Sequence, residues 1–141
     1  MNPTHPDIRW QQRFQNFDRA FTLLDSALKD RPLDAYSALE QEGIIQRFEY
    51  AYELAWKTMK DFLEDGGVVI APVTAREVIK RAFAARLVED GQVWIDMMLH
   101  RNQLAHTYDF SKFREVLDAA RDRYHPAMSS LRAWLATQVQ A

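Results

Sequence analysis

The sequence predicts an all-α protein built as an antiparallel four-helix bundle of about five helices. Apolar residues recur at steps of three and four along most of the chain, and Gly and Pro fall between those stretches. The one stretch with strand-like composition, residues 68–72, is short and isolated, so we expect an extended connector there. The chain has 141 residues, of which 48% are hydrophobic. Residues 1–141 are therefore expected to form a single helical-bundle domain with one core.

The first predicted helix runs from about Asp7 to about Lys29, because its apolar residues form a single stripe. The stripe consists of Trp10, Phe14, Phe17, Phe21, Leu24 and Leu28. The helix ends before Pro32, since a residue that precedes proline is pushed out of the helical region.

The second predicted helix ends at Gly66-Gly67, which can adopt the left-handed conformation that closes a helix. Its start is ambiguous, because residues 36–39 are compatible with a preceding turn around Gly43. Its apolar positions are Ile44, Ile45, Phe48, Tyr52, Ala55, Trp56, Met59, Phe62 and Leu63.

Two capping signals predict the third and fourth helices. Thr74, followed three residues later by Glu77, forms a capping-box pattern that starts the third helix. Asp90 can cap the fourth helix after the break at Gly91, and this helix ends near residues 106–108, where Asp109 or Ser111 can cap the next one. The third and fourth helices are expected to share one broken arm of the bundle.

The fifth predicted helix carries a proline in its middle. Pro126 lacks an amide donor and clashes with the carbonyl group four residues back, so we expect a kink near Asp122 rather than the end of the helix. The apolar positions of this helix are Phe113, Val116, Leu117, Ala120, Tyr124, Met128, Leu131, Trp134 and Leu135.

Composition excludes several classes of function. The net charge of −2 and the pI of about 6.1 give no overall basic field, so any nucleic-acid site must be local. The chain has no Cys, which excludes a disulfide scaffold, a thiolate nucleophile and a Cys-based zinc site. Neither a signal-peptide pattern nor an apolar run of membrane-spanning length occurs, and His5, His100 and His125 lack metal-ligand spacing. We expect a cytoplasmic protein without a metal or cofactor.

The most informative segment is residues 101–108, which places a guanidinium, an imidazole and a phenol at the end of a predicted helix. Arg101 can stabilise the charge that develops on a phosphoryl group, and His106 can transfer protons at neutral pH. At 100° per residue the two positions lie ~140° apart around the helix, whereas Asn102 and His106 share one face. A site formed by two copies across a two-fold axis would bring an Arg and a His together.

This pattern of Arg, four residues, His, one residue and Tyr resembles the active-site motif of HEPN proteins. It is most similar to the HepT-like branch, whose members are also called nucleotidyltransferase substrate-binding proteins. Residues 48–63 and 75–83 resemble the second and third helices of that family, and the resemblance covers most of the chain from Trp10 to Leu135.

The resemblance implies a homodimer with a metal-independent ribonuclease site at its interface. His106 would act as general base on the ribose 2′-hydroxyl or as acid on the leaving oxygen, Arg101 would clamp the scissile phosphate of the RNA, and Asn102 could orient the imidazole. It further implies a toxin of a HepT/MntA-type toxin–antitoxin pair. Its partner, an MntA-type nucleotidyltransferase, would attach AMP to Tyr108 and so silence the ribonuclease.

Plainer interpretations stand beside these. His106 could cap its helix, Arg101 could pair with Asp96 or Asp109 on the surface, and Tyr108 could be a packing residue. The tryptophans at core spacing, Trp56, Trp94 and Trp134, favour packing over base stacking.

A local basic cluster is the candidate RNA-binding surface. Arg76, Lys80 and Arg81, with Arg86 nearby, could form a phosphate-binding rim, and a solvated helix face is an equally good interpretation. Two other functions remain open for the whole chain: a non-catalytic substrate-binding subunit of a two-component nucleotidyltransferase, and a helical dimerisation protein.

Overall fold

The computed structural model describes the backbone of residues 6–106 and 109–139, and the side chains of residues 9–105 and 109–139. Within those ranges the protein is helical and contains no β-strand. The helices are α1 (Pro6–Asp30), α2 (Ala38–Asp65), α3 (Ala75–Ala84), α4 (Gly91–His106), α5 (Phe110–Ala119) and α6 (His125–Val139). The all-α prediction is confirmed.

The start of α2, which the sequence pattern left ambiguous, is set by a capping box at Ser37. The Ser37 hydroxyl accepts a hydrogen bond from the Glu40 amide at 3.1 Å, and the Glu40 carboxylate accepts one from the Ser37 amide at 2.8 Å. A short 3-10 turn, Leu33–Ala35, precedes this cap. The turn around Gly43 that the sequence allowed does not form. The reciprocal hydrogen bonds at Ser37 begin the helix earlier, and Gly43 lies inside it.

The ends of α3 and α4 follow the predicted signals. The Thr74 hydroxyl accepts from the Glu77 amide at 3.1 Å, which caps α3. The Asp90 carboxylate accepts from the amides of Gln92 and Val93 and so caps α4. α4 ends at His106, and the Asp109 carboxylate accepts from the Ser111 amide at the start of α5.

The interruption predicted near Asp122 takes the form of a π turn. Residues Ala120–Tyr124 adopt π-helical geometry between α5 and α6, and the His125 amide donates to the carbonyl of Ala120, five residues back. Because Pro126 offers no amide donor, the regular ladder cannot continue through this point. The widened turn keeps α5 and α6 in one continuous arm.

The helices enclose one hydrophobic core with α2 at its centre. α2 packs against α1, α3, α4 and α5, and α1 also packs against α6. The buried polar residues in the described part of the chain are Thr58 and Asp61, and the Asp61 carboxylate accepts from Nε of Arg13 at 2.8 Å, which links α2 to α1. The largest fully buried side chains are Trp94, Tyr52, Tyr124, Phe17, Phe48, Leu24, Leu33, Met59, Ile79, Met97, Leu117 and Met128.

None of the helices in the described ranges combines the length and the hydropathy that a membrane crossing requires.

Candidate functional site

The C-terminal half of α4 carries the predicted site and presents two faces to its neighbours. One face holds Met98, Arg101 and Asn102, which line a cleft against α2 and the start of α3. The other holds His100, which contacts α5 and the π turn. The predicted catalytic Arg and Asn therefore lie on the α2–α3 side of the helix, and His100 does not share it.

The cleft beside Arg101 has a volume of about 360 Å³. α2 contributes one wall, the first turn of α3 another, and α4 the third. We call it the Arg101 cleft; its lining residues are Tyr52, Glu53, Trp56, Thr74, Ala75, Arg76, Met98, Arg101 and Asn102. Two predicted catalytic residues and one predicted RNA-binding residue thus meet in a single depression.

Arg101 is held on the rim of the cleft by Glu53 of α2. Its Nη2 lies 3.6 Å from Oε1 of Glu53, and its side chain is 38% exposed. Glu53 also pairs with Lys57 at 3.3 Å. Nearby, burial raises the pKa of the Glu49 carboxyl, and the charge of Arg101 acts in the opposite direction.

The surface ion pairs considered for Arg101 in the sequence analysis were wrong. Asp96 pairs with Arg123 and accepts from the amide side chain of Gln92, while Asp109 caps α5. Helical periodicity turns residue 96 away from residue 101, and Asp109 lies beyond the end of α4.

Two residues that line the cleft each carry a buried polar atom without a hydrogen-bond partner in the described structure. They are the hydroxyl of Tyr52 and the indole Nε1 of Trp56. Tyr52 is 2% exposed. Burial raises the pKa of the Tyr52 phenol, the charge of Glu53 raises it further, and the charge of Arg101 lowers it.

The remaining residues of the motif are described only in part. α4 is regular through His106, so positions 101 and 106 lie ~140° apart around its axis. The side chain of His106 and all of Tyr108 lie outside the described residues. The roles assigned to His106 and Tyr108 stay predictions.

Three of the four basic residues of the predicted RNA-binding cluster lie on α3, and the fourth, Arg86, lies beyond it. Arg76 lines the Arg101 cleft and Lys80 is exposed one turn later on the same helix. Arg81 pairs with Glu77 at 3.1 Å, and Arg86 lies after α3 beside a different depression. Of the four, only Arg76 is brought to the predicted catalytic residues.

His100 belongs to a separate hydrogen-bonded group. Its Nε2 lies 2.7 Å from the Glu115 carboxylate and its Nδ1 lies 2.6 Å from the hydroxyl of Tyr124, at the end of the π turn. Burial raises the pKa of Tyr124 to about 12. This group ties α4 to the interrupted arm and fixes the orientation of the motif helix.

Comparison with known proteins shows the family to which the chain belongs. A family model described as "nucleotidyltransferase substrate binding protein like" matches residues 12–137. The chain belongs to this family. The resemblance to HepT-like proteins inferred from the motif is thereby confirmed, and it is shared by a "probable ribonuclease HepT" of Haemophilus influenzae that is 33% identical over 77 residues. That alignment covers 52% of this chain and 53% of the relative, so it spans about half of either protein.

Solved structures of two similar proteins have the same fold. A protein from Thermus thermophilus superposes with a TM-score of 0.72 and 27% identity, covering 84% of this chain and 98% of that one. A Haemophilus influenzae protein, described as having the fold of a substrate-binding domain of a nucleotidyltransferase, gives a TM-score of 0.71 and 27% identity over 87% of this chain and 98% of the other.

Glu53, Tyr52 and Trp56 were not predicted from the sequence as parts of the site. Glu53 reads as one more charge on a helix face, and Tyr52 and Trp56 read as core residues because they fall on the apolar stripe. Their relation to Arg101 exists only after α2 and α4 pack. The signal that was available is their spacing, since residues 52, 53 and 56 fall on one side of a helix.

Proposed function

We propose that this protein is a metal-independent endoribonuclease, the toxin of a HepT/MntA-type toxin–antitoxin pair. The proposal depends on one observation above all: Arg101 stands with Asn102 at a cleft rich in hydrogen-bond donors, on a regular helix that ends at His106. The relative named probable ribonuclease HepT supports the same activity.

The ion pair of Arg101 suits exchange for a substrate phosphate. The separation of 3.6 Å from Glu53 is longer than an ordinary hydrogen bond, and Glu53 is shared with Lys57. A phosphodiester offers the guanidinium two oxygens in the plane of its fork, which is a stronger contact than this one.

In the proposed reaction the ribose 2′-oxygen attacks phosphorus as its proton is taken up by a general base. The bond from phosphorus to the 5′-oxygen breaks, and the leaving oxygen receives a proton. His106 serves as the base or the acid, and Arg101 stabilises the negative charge on the phosphoryl oxygens. Asn102, four residues before His106, orients the imidazole.

We further propose that two copies form the complete site. Positions 101 and 106 face different directions around α4, so a second protomer supplies the complementary half. An apolar surface lies beside the end of α4, where Phe110 is 81% exposed above a depression that Leu104 and Phe113 help to line. Covering such a surface favours association of two copies.

The RNA backbone is contacted in this proposal by Arg76, Lys80 and Arg81. Arg76 and Lys80 are four residues apart and follow one side of α3 away from the cleft. Arg81 adds positive charge next to them, reduced by its pairing with Glu77.

The partner in this proposal is an MntA-type nucleotidyltransferase that transfers AMP to Tyr108. The family description and the Haemophilus influenzae structure both refer to nucleotidyltransferase substrate binding. A phosphodiester on Tyr108 would place negative charge near the motif and compete with RNA phosphate for Arg101.

RNA cleavage by the purified protein tests the catalytic assignment. We expect cleavage to persist in EDTA and to fall ~10²–10⁴-fold in His106→Ala, with a comparable loss in Arg101→Ala, because each removes a group that acts in the transition state. Arg19→Ala, which removes an exposed charge from α1, is the matched control and should cleave like the wild type. Circular dichroism should show unchanged helicity in all three variants.

The second candidate function is a non-catalytic subunit that presents substrate to a nucleotidyltransferase, which the description of the Haemophilus influenzae structure favours. The RNA cleavage assay distinguishes this function from the ribonuclease. A wild-type protein that cleaves no RNA, or His106→Ala and Arg101→Ala variants that cleave as fast as the wild type, would replace the ribonuclease with this function.

A further inference from the structure

The Arg101 cleft contains more hydrogen-bond donors than the proposed reaction uses. Catalysis as described above requires Arg101, Asn102 and His106. Tyr52 and Trp56 line the same cleft and have no role in that reaction, and Arg76, proposed above as a contact to the RNA backbone, lines it too. The lining includes one carboxylate, that of Glu53, so the balance of charge and of donors favours an anion.

The first turn of α3 opens onto this cleft. Thr74, Ala75 and Arg76 line it, and the Thr74 hydroxyl is already engaged by the Glu77 amide. The hydrogen bonds of the described residues give the amides of Ala75 and Arg76 no acceptor. Unpaired amides at the positive end of a helix dipole bind phosphate groups well.

The buried hydroxyl of Tyr52 is an independent sign of a ligand. A phenol that is 2% exposed normally has a hydrogen-bond partner, and among the described residues this one has none, nor does the neighbouring indole N–H of Trp56. Both groups can donate, and the indole can only donate. An oxygen-rich ligand in the cleft would supply the acceptors that the protein lacks.

We propose that the Arg101 cleft binds a second phosphodiester of the RNA strand, next to the scissile one, and this inference rests on the proposed ribonuclease function. The guanidinium of Arg76 and the first amides of α3 bind its phosphate oxygens. The Tyr52 hydroxyl and the Trp56 indole donate to oxygens of the same nucleotide. Arg101 stands between this subsite and the scissile bond.

The shape of the surface favours a strand over a free nucleotide. Arg76 and Asn102 at the rim are both exposed, so the cleft is open to the outside on the α3 and α4 sides. Exposed Lys80 continues the positive charge one turn beyond Arg76 along α3. A backbone that carries regularly spaced phosphates can follow this line, whereas a free nucleotide would use only the cleft.

Binding of a non-cleavable RNA tests the subsite apart from catalysis. The probe is a fluorescein-labelled 2′-O-methyl RNA octamer, which has no free 2′-hydroxyl that could attack phosphorus. Its binding is measured by fluorescence anisotropy over a range of salt concentrations. We expect Arg76→Ala to weaken binding on the order of tenfold and to reduce the salt slope by about one. Arg19→Ala on α1, which contributes no residue to the cleft, should change neither.

Tyr52→Phe distinguishes ligand binding from packing. The variant should bind the octamer several-fold more weakly while its Tm stays equal to or above that of the wild type, because it deletes a buried hydroxyl without a protein partner. In ¹H–¹⁵N spectra, the octamer should shift the indole resonance of Trp56, assigned with Trp56→Phe, and leave that of buried Trp94 in place.

The possible results separate this inference from the catalytic proposal. Loss of RNA affinity in Arg76→Ala in a protein that cleaves no RNA would support the subsite and reject the ribonuclease. Cleavage with an unchanged KM in Arg76→Ala, or octamer binding that is indifferent to both Arg76→Ala and Tyr52→Phe, would reject the subsite alone. Arg76-dependent binding of ATP tighter than that of the octamer would also overturn it, in favour of a free nucleotide.

Discussion

In the sequence, Tyr108 comes two residues after His106, the last residue of α4, and directly before Asp109, which caps α5. Connecting segments leave a side chain accessible to a modifying enzyme. We therefore expect incubation with the cognate nucleotidyltransferase and ATP-Mg²⁺ to add one or more adenylyl groups to Tyr108 and to abolish RNA cleavage. Intact mass spectrometry of the wild type and of Tyr108→Phe measures the modification.

Tyr50 provides the matched control for that experiment. It is another tyrosine, 60% exposed on α2, and Tyr50→Phe should be adenylylated as fully as the wild type. If the wild type gains no adenylyl mass, or Tyr108→Phe gains as much, Tyr108 is a packing residue and the regulatory part of the proposal fails.

The residues of the site differ in how far the sequence could reveal them. Arg101 and Asn102 were predicted because their motif is contiguous in the chain, and the structure brings both to one cleft. Tyr52 was predicted only as a core residue, since it is buried and its proposed role depends on the hydrogen bond that its hydroxyl lacks. A missing hydrogen bond leaves no trace in a one-dimensional pattern.

Alanine substitutions of two glycines test how the end and the interior of α2 contribute to stability. Gly67 has a φ of 91°, a left-handed conformation that closes α2, and Gly43 lies within the helix with no atom near the position of a Cβ. Gly67→Ala should lower the free energy of unfolding by about 1 kcal/mol, because a Cβ disfavours positive φ. Gly43→Ala should raise it by ~0.5–1 kcal/mol, because alanine loses less backbone freedom on folding.

Urea unfolding measures both changes, and each variant serves as the control for the other. The opposite signs matter more than the magnitudes, since any general effect of adding a methyl group would move both in one direction. Equal stability of Gly67→Ala and the wild type would mean that the left-handed residue does not set the end of α2.

At the scale of elements, local signals were sufficient wherever a side chain caps a neighbouring amide. Thr74, Asp90 and Asp109 were predicted from their residue types and each caps the expected helix. The kink before Pro126 was predicted in place, whereas its π geometry was not. The π turn places Tyr124 in the core, where its hydroxyl lies 2.6 Å from Nδ1 of His100, a tertiary contact that the sequence pattern does not reveal.

The arrangement of the whole molecule limits what one chain can do. α2 fixes Glu53 and, through it, Arg101, while α5 and the π turn fix the opposite side of α4 through His100. The motif helix is therefore held on both flanks, and its regular geometry keeps positions 101 and 106 on different faces. The proposed completion of the site by a second copy follows from this helical geometry.

We expect a homodimer at micromolar concentration whose interface includes the end of α4 and the exposed ring of Phe110. Phe110→Glu should shift sedimentation towards the monomer and reduce RNA cleavage in parallel, because it places a charge on an apolar surface that association buries. Leu23→Glu, which alters an apolar side chain that is 51% exposed on α1, should leave both the mass and the activity unchanged. A wild type that sediments strictly as a monomer at this concentration while cleaving RNA at full rate would show that one chain holds a complete site, and the composite arrangement would have to be abandoned.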